Sequence, residues 1–186
     1  ASAEEQLGSV LLAKGSNAEA AARYQAVLAK DPNKSEALAG LVTALQRMGK
    51  AGEAIAVLER YPKGELGPSL LLGRVYATQG DAAAARQVFE QAIAANPADA
   101  RPYLSLAALS PENSPAQVEA LERGWKAVPG NPELAAILGN ARQAEARFDD
   151  AIAVYEAGLK QAPDSPLLVN NLAATLLDHR SDKASL

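Results

Sequence analysis

The sequence predicts an all-α chain of stacked helix pairs. Three observations carry this: a composition rich in alanine and poor in aromatics, apolar residues at helical spacing, and a motif that returns about every 34 residues. Of 186 residues, 42 are alanine and only 8 are aromatic (five Tyr, two Phe, one Trp). Alanine is the best helix former and the smallest side chain that packs, so such a chain suits helices that approach closely. β-Branched runs with period-two alternation are absent, which weighs against strands.

The repeat shows in four stretches that line up: "RYQAVLAKDPN" from Arg23, "VFEQAIAANPA" from Val88, "ALERGWKAVPG" from Ala120 and "VYEAGLKQAPD" from Val154. Each closes a helical pattern in a proline, and Pro32, Pro97, Pro129 and Pro163 are spaced 65, 32 and 34 residues apart. The first interval holds two units. The chain then divides at approximately 1–34, 35–65, 66–99, 100–131, 132–165 and a partial 166–186, expected to form a single domain. Eleven helices are expected: a first (A) and a second (B) in each of five units, then a lone sixth A.

The units justify themselves in order. The first carries Leu7-Gly8 in helix A, Ala20 and Tyr24 in helix B, then Pro32. The second keeps Leu41, Leu45, Ala54 and Leu58 but ends early at "RYPKGELGPS", where Pro62 is expected to stop helix B about a turn short. The third has Leu72-Gly73, Tyr76, Ala85, Phe89 and Pro97. The fourth keeps Tyr103, Leu106, Ala107, Leu121 and Pro129 but lacks a glycine turn. In its "LSPENSPAQ", Ser114, Pro115 and Gln117 read as N-cap, first helical residue and capping-box partner. The fifth has Leu138-Gly139, Ala151, Tyr155 and Pro163; the sixth begins Leu172-Ala173 and stops. A small residue after the leucine lets helix A approach helix B, and the aromatic or leucine of helix B fills the gap between them. Tyr24, Tyr76, Phe89, Tyr103 and Tyr155 are therefore read as packing residues.

This period and these residues resemble the tetratricopeptide repeat, whose pattern is W-x2-L-G-x2-Y, then A-x3-F, then P. The resemblance covers essentially the whole chain. It implies a right-handed α-α superhelix, a solenoid whose concave face binds other proteins. The implied function is a scaffold or adaptor holding a peptide, a helix or a partner protein. The alanine-rich style and the "DPNKSEAL" linker are similar to bacterial members, many of which serve envelope machinery such as exopolysaccharide export and pilus assembly. Two alternatives stand beside this: a structural spacer or self-associating array in a larger protein with no groove ligand, and a part of a tetratricopeptide-containing enzyme. A further rival in the same class is a chaperone-tail receptor. Its motif needs two asparagines 31 residues apart, which Asn140 and Asn171 match, and a lysine one turn earlier, where Ala136 stands.

Other classes find no support. The net charge is −4, with 18 basic and 22 acidic residues spread along the chain, so no basic stripe marks a nucleic-acid partner. No run of 18 apolar residues predicts membrane insertion. The start "ASAEEQ" is not a signal peptide, and the compartment stays open between cytoplasm and periplasm. With no cysteine and a single histidine, His179, thiolate and multi-histidine metal sites are excluded. Asp149 and Asp150 sit at a helix start, where acids favour the helix dipole. No catalytic, cofactor or metal site is predicted.

Two sites of partner contact are expected. Leu168, Leu172 and Leu176 recur every four residues with nothing downstream to cover them, which predicts self-association through the C-terminal end. Asn170, about 200° round the helix from Leu172 at 100° per residue, is expected to face the inner surface, with Asn171 at its edge. Asn140, Asn170 and Asn171 are read as a polar grip for a peptide backbone, with Gln143, Arg74 and Thr43 further along. Removing Asn140 and Asn171 together is expected to weaken a partner without lowering the melting temperature.

Overall fold

Among the described residues eleven helices form, as the repeat predicts, and no strand does. The computed structural model describes the backbone of residues 2–184 and the side chains of residues 2–177. The helices group into two compact units, residues 1–95 and 96–186. The first holds α1 (Ala3–Ala13), α2 (Asn17–Lys30), α3 (Ser35–Arg47), α4 (Ala51–Leu58), α5 (Leu66–Thr78) and α6 (Ala82–Ala95). The second holds α7 (Ala100–Ala107), α8 (Pro115–Ala127), α9 (Pro132–Ala144), α10 (Phe148–Gln161) and α11 (Pro166–Ala184). Odd-numbered helices are the A helices and even-numbered ones the B helices.

The helix ends are written in the sequence. Ser2 and Glu5 form a reciprocal capping box on α1, with Glu5 N donating to Ser2 Oγ at 3.3 Å and Ser2 N donating to Glu5 Oε2 at 2.5 Å. Ser114 caps α8 as expected, and Pro115 opens it. The reciprocal half differs: Gln117 Oε1 accepts from Asn113 N at 2.7 Å, not from Ser114 N. The reason is the turn before the helix. Asn113 takes a left-handed φ of 57°, which swings its own N–H towards the glutamine. Gly15, Gly49 and Gly80 hold the equivalent A-to-B turns at φ of 81°, 72° and 81°. The fourth unit therefore keeps its left-handed turn with asparagine in place of glycine, and the fifth keeps it with Ala146 at φ 57°.

Packing follows the small-residue rule. A Cβ added to Gly8 would meet the Tyr24 ring at 2.9 Å, and one added to Gly73 or Gly139 would run into Phe89 or Tyr155. Each ring thus lies directly over a glycine of its own A helix. In the second unit Val42 stands at the glycine position and Leu58 at the ring position, and both belong to one buried cluster with Leu38, Leu41, Leu45 and Val75. In the fourth unit the same two positions are Ala107 and Leu121, both buried. Burial of each such leucine contributes about 1.5–3 kcal/mol. In the second compact unit Ala135, Ala136, Ala151, Tyr155 and Leu168 form a cluster, with Trp125, Val154, Leu159 and Leu172 packed on it.

One expectation about the C-terminal helix is corrected here. Leu168 is fully buried and Leu172 is partly buried against the α9–α10 cluster, so neither is left open. The physical reason is register: Leu168 points back at Gly158 of α10, whose missing side chain admits it. Leu176 is exposed as expected, and among the described residues of α11 the other exposed large apolar side chains are Leu167, Val169 and Leu177. The side chains of Asp178, His179 and Arg180 lie outside the described residues.

Candidate interaction surface

The expected polar residues share one place in the repeat. Ser9, Thr43, Arg74 and Asn140 are each the residue after the small position of their A helix, namely Gly8, Val42, Gly73 and Gly139. What each does depends on the ring below it. In α1, Ser9 Oγ lies 3.2 Å from the Tyr24 hydroxyl. In α5, Phe89 has no hydroxyl to offer, and Arg74 is exposed with no partner among the described residues. In α3, the Thr43 hydroxyl donates to Ala39 O of its own helix at 2.8 Å, so its donor is already used.

In α9 the arrangement is richest. The buried Tyr155 hydroxyl donates to Asn140 Oδ1 at 2.6 Å. Asn171 Nδ2, from α11, donates to the same oxygen at 2.9 Å. One amide oxygen therefore joins two A helices and the B helix between them. Burial pushes the Tyr155 hydroxyl above the ordinary tyrosine range, with the nearby Thr175 hydroxyl pulling it back. Thr175 is itself fully buried and donates to Asn171 O at 2.8 Å, which fixes the α11 turn that carries the asparagine.

The structure thus brings Asn140 and Asn171 into contact, with Asn170 exposed next to Asn171 and Gln143 half-buried and engaged one turn on from Asn140. The Asn140 Nδ2, the Asn171 Oδ1 and the whole Asn170 amide have no partner among the described residues, so donors and acceptors remain to offer. Thr43 and Arg74 belong to the first unit and take no part in this contact. Ala136, where a chaperone-tail receptor would carry its lysine, is buried.

Sequence reasoning missed two features. Arg142 is 7% exposed and forms ion pairs with Glu122 of α8 and, at 2.9 Å, with Glu145. Its signal was a charged residue on the apolar face, four positions after Leu138. The other is a pair of clefts beside the short α4. One of about 960 Å³ is lined by Leu28, Pro32, Val57, Arg60 and Tyr61. The other, about 370 Å³, lies on the α6 side over Pro62, Leu72, Tyr76 and Gln87. They exist because α4 has 8 residues where α2 and α6 have 14. Pro62 was the signal, and Tyr61, whose hydroxyl donates to Pro32 O at 2.6 Å, holds the truncated end. Among the described residues no group of three or more His, Cys, Asp or Glu is placed to hold a metal, and no helix is long and apolar enough to cross a membrane.

Comparison with known proteins agrees with this architecture. Family models described as tetratricopeptide repeat match residues 11–70, 66–109 and 132–175. The internal stretch left unmatched, residues 110–131, contains the turn built on Asn113 and the helix it leads into. Cellulose synthase operon protein C of Xanthomonas axonopodis pv. citri (strain 306) is 32% identical over 160 residues, 80% of this chain but 10% of that protein. The chain therefore spans about a tenth of the length of that relative. Among solved structures, a thermophilic tetratricopeptide protein of Thermus thermophilus superposes with a TM-score of 0.58 at 26% identity, covering 94% of this chain and 97% of that one. YrrB, described as a tetratricopeptide protein with an unusual peptide-binding site, does so with a TM-score of 0.52 at 16% identity, covering 90% and 89%. At that identity the likeness concerns the fold alone. Tetratricopeptide proteins are in general protein-interaction scaffolds, and their fold is typically non-enzymatic. With glycine under ring in three of its units, a period near 34 and family models matching most of its length, this chain belongs to the tetratricopeptide-repeat family.

Proposed function

We propose that the chain is an interaction scaffold whose residue 96–186 unit holds a partner's extended or helical backbone on the A-helix face around Asn140, Asn170 and Asn171. The observation that carries this is the shared Asn140 oxygen, which orders two amides on adjacent A helices while leaving other amide groups unpaired. An ordered amide loses less freedom when it binds, so it grips at lower cost than a mobile one. Amides also match backbone donors and acceptors irrespective of the partner's sequence. The likeness to a cellulose synthase operon protein supports a place in bacterial exopolysaccharide machinery. The buried Ala136 weighs against a chaperone-tail receptor. Self-association through the end of α11 is a separate part of the reading, with Leu176 retained and Val169 in place of the covered Leu168 and Leu172.

The test uses photo-crosslinking residues placed one at a time in the chain and expressed in the source cell. A probe at Asn170 should capture a protein partner that a probe at Glu156, exposed on α10, does not. Equal capture at both positions, or capture only at Glu156, would refute the assignment of the face.

A further inference from the structure

The smaller of the two clefts beside α4 lies wholly within the residue 1–95 unit. Its floor is Leu58, Pro68 and Ser69, all buried, and its walls include the half-buried Leu72 and Val88. Ser69 is 6% exposed, and its hydroxyl has no partner among the described residues. A buried hydroxyl left unpaired is costly, so this one points to a group that the chain itself does not supply.

The repeat register shows what is missing. The residue four before the small position of the A helix is Leu38, Ser69, Tyr103 and Ala135 in the second to fifth units. Leu38 and Tyr103 are large and buried. Tyr103 lies over Gly124 of its own B helix, and its hydroxyl donates to Pro97 O at 3.1 Å. Ala135 is small, but Leu168 of the next A helix lies with it over Gly158. Ser69 is small too, and within its own unit the space beside it stays open. This position is therefore short of one large side chain, with a hydroxyl at its base.

Size and charge choose the occupant. A single turn of helix, about 5.4 Å long and 10 Å across, takes up about 420 Å³, more than the cleft's volume of about 370 Å³. A cavity of about 150 Å³ accepts benzene, so the cleft takes one aromatic side chain with the extended backbone that carries it. A phenol suits it best, with a ring for the apolar walls and a hydroxyl for Ser69. At the end of α4 the exposed Arg60 and Lys63 side chains have no partner among the described residues, while Glu59 Oε1 accepts from the Tyr76 hydroxyl at 3.3 Å. The free charge beside the cleft is positive, which favours acidic neighbours for the ring. We propose that this cleft binds a tyrosine of a partner protein, in an extended segment with acidic flanking residues, its phenol bonded to the Ser69 hydroxyl. The site uses none of the amide-surface residues, so either can fail without the other.

The probe is acetyl-Glu-Tyr-Glu-amide, titrated into the isotope-labelled chain and followed by NMR. Saturable shifts are expected at Ser69, Leu72 and Gln91, which line the cleft. The phenylalanine analogue should bind about fivefold more weakly, the scale of one net hydrogen bond. The analogue with lysines in place of the glutamates should also bind more weakly. Ser69→Ala removes an unpaired hydroxyl, so it should keep the fold and erase the preference for tyrosine over phenylalanine. Ser69→Leu fills the space from within, as Leu38 does in the second unit, and should abolish binding of every probe while circular dichroism stays unchanged. No saturable shift up to about 10 mM probe would overturn the proposal. So would shifts centred on Asn140 instead, tighter binding of the neutral sugar cellotetraose, or a tyrosine preference that survives Ser69→Ala.

Discussion

The α3–α4 and α9–α10 pairs solve one problem in opposite ways. Both must bring an A helix and a B helix together. The α9–α10 pair removes the side chain at Gly139 and lays the Tyr155 ring across the gap. The α3–α4 pair keeps Val42 and fills the remainder with Leu58. Both pairs fill the contact with nearly the same number of side-chain heavy atoms, but with different chemistry. A leucine ends in methyl groups and asks nothing of the next residue, so Thr43 turns its hydroxyl to its own backbone. A tyrosine ends in a hydroxyl that needs a partner when buried, so it recruits Asn140, and through it Asn171. The polar surface of the second unit is thus an outgrowth of its packing solution.

The largest effect expected from this comparison is at the leucine end. Leu58→Ala leaves a cavity in the first unit's core and should cost about 3 kcal/mol in urea denaturation. Next comes the glycine end. Gly139→Val should cost about 2–3 kcal/mol, because the new side chain collides with the Tyr155 ring. Adding Tyr155→Leu converts the pair to the α3–α4 solution and should recover more than half of that loss. A double variant no more stable than the single would break the idea that the two pairings are interchangeable. Tyr155→Phe keeps the ring and loses one hydrogen bond, for about 1 kcal/mol. Its effect should also depend on pH. The folded-state hydroxyl ionises above its ordinary value, so the unfolded chain releases that proton first. The stability it contributes is intact below about pH 10 and is lost as pH rises from there towards the folded value. The gap between wild type and Tyr155→Phe should therefore narrow in alkali. The smallest effect is a gain. Ala146 holds a left-handed turn that Gly15, Gly49 and Gly80 hold elsewhere, so Ala146→Gly should stabilise by roughly 0.5–1 kcal/mol. Thermal melting of that variant checks it.

Much of this was legible in the residues because each repeat states its own geometry. Gly8, Gly73 and Gly139 announced close approach, Pro62 announced the short α4, and Ser114-Pro115 announced the start of α8. What the sequence hid was which of two adjacent residues a helix turns inward. Spacing alone leaves Leu168 open, yet α11 seats it on Gly158. Asn171, placed at the rim by its angle, makes the direct contact with Asn140, whereas Asn170 is the more exposed of the two. Helical angle alone resolves a face to within a residue, and a hydrogen bond to a neighbouring helix decides the rest. The same bond revises the expected assay. Removing Asn140 would orphan the buried Tyr155 hydroxyl and lower the melting temperature, so Asn140→Ala cannot separate binding from folding.

Asn170→Ala with Asn171→Ala can, because it leaves the Tyr155–Asn140 bond in place. With the captured partner in hand, isothermal calorimetry on this double variant tests the central claim most directly. The account predicts affinity weakened by about five- to tenfold, the scale of one or two net hydrogen bonds, with a melting temperature close to wild type, because alanine's better helix propensity at both positions offsets the lost Asn171–Asn140 bond. Wild-type affinity in the double variant would contradict it and move the partner's contact away from the amide surface.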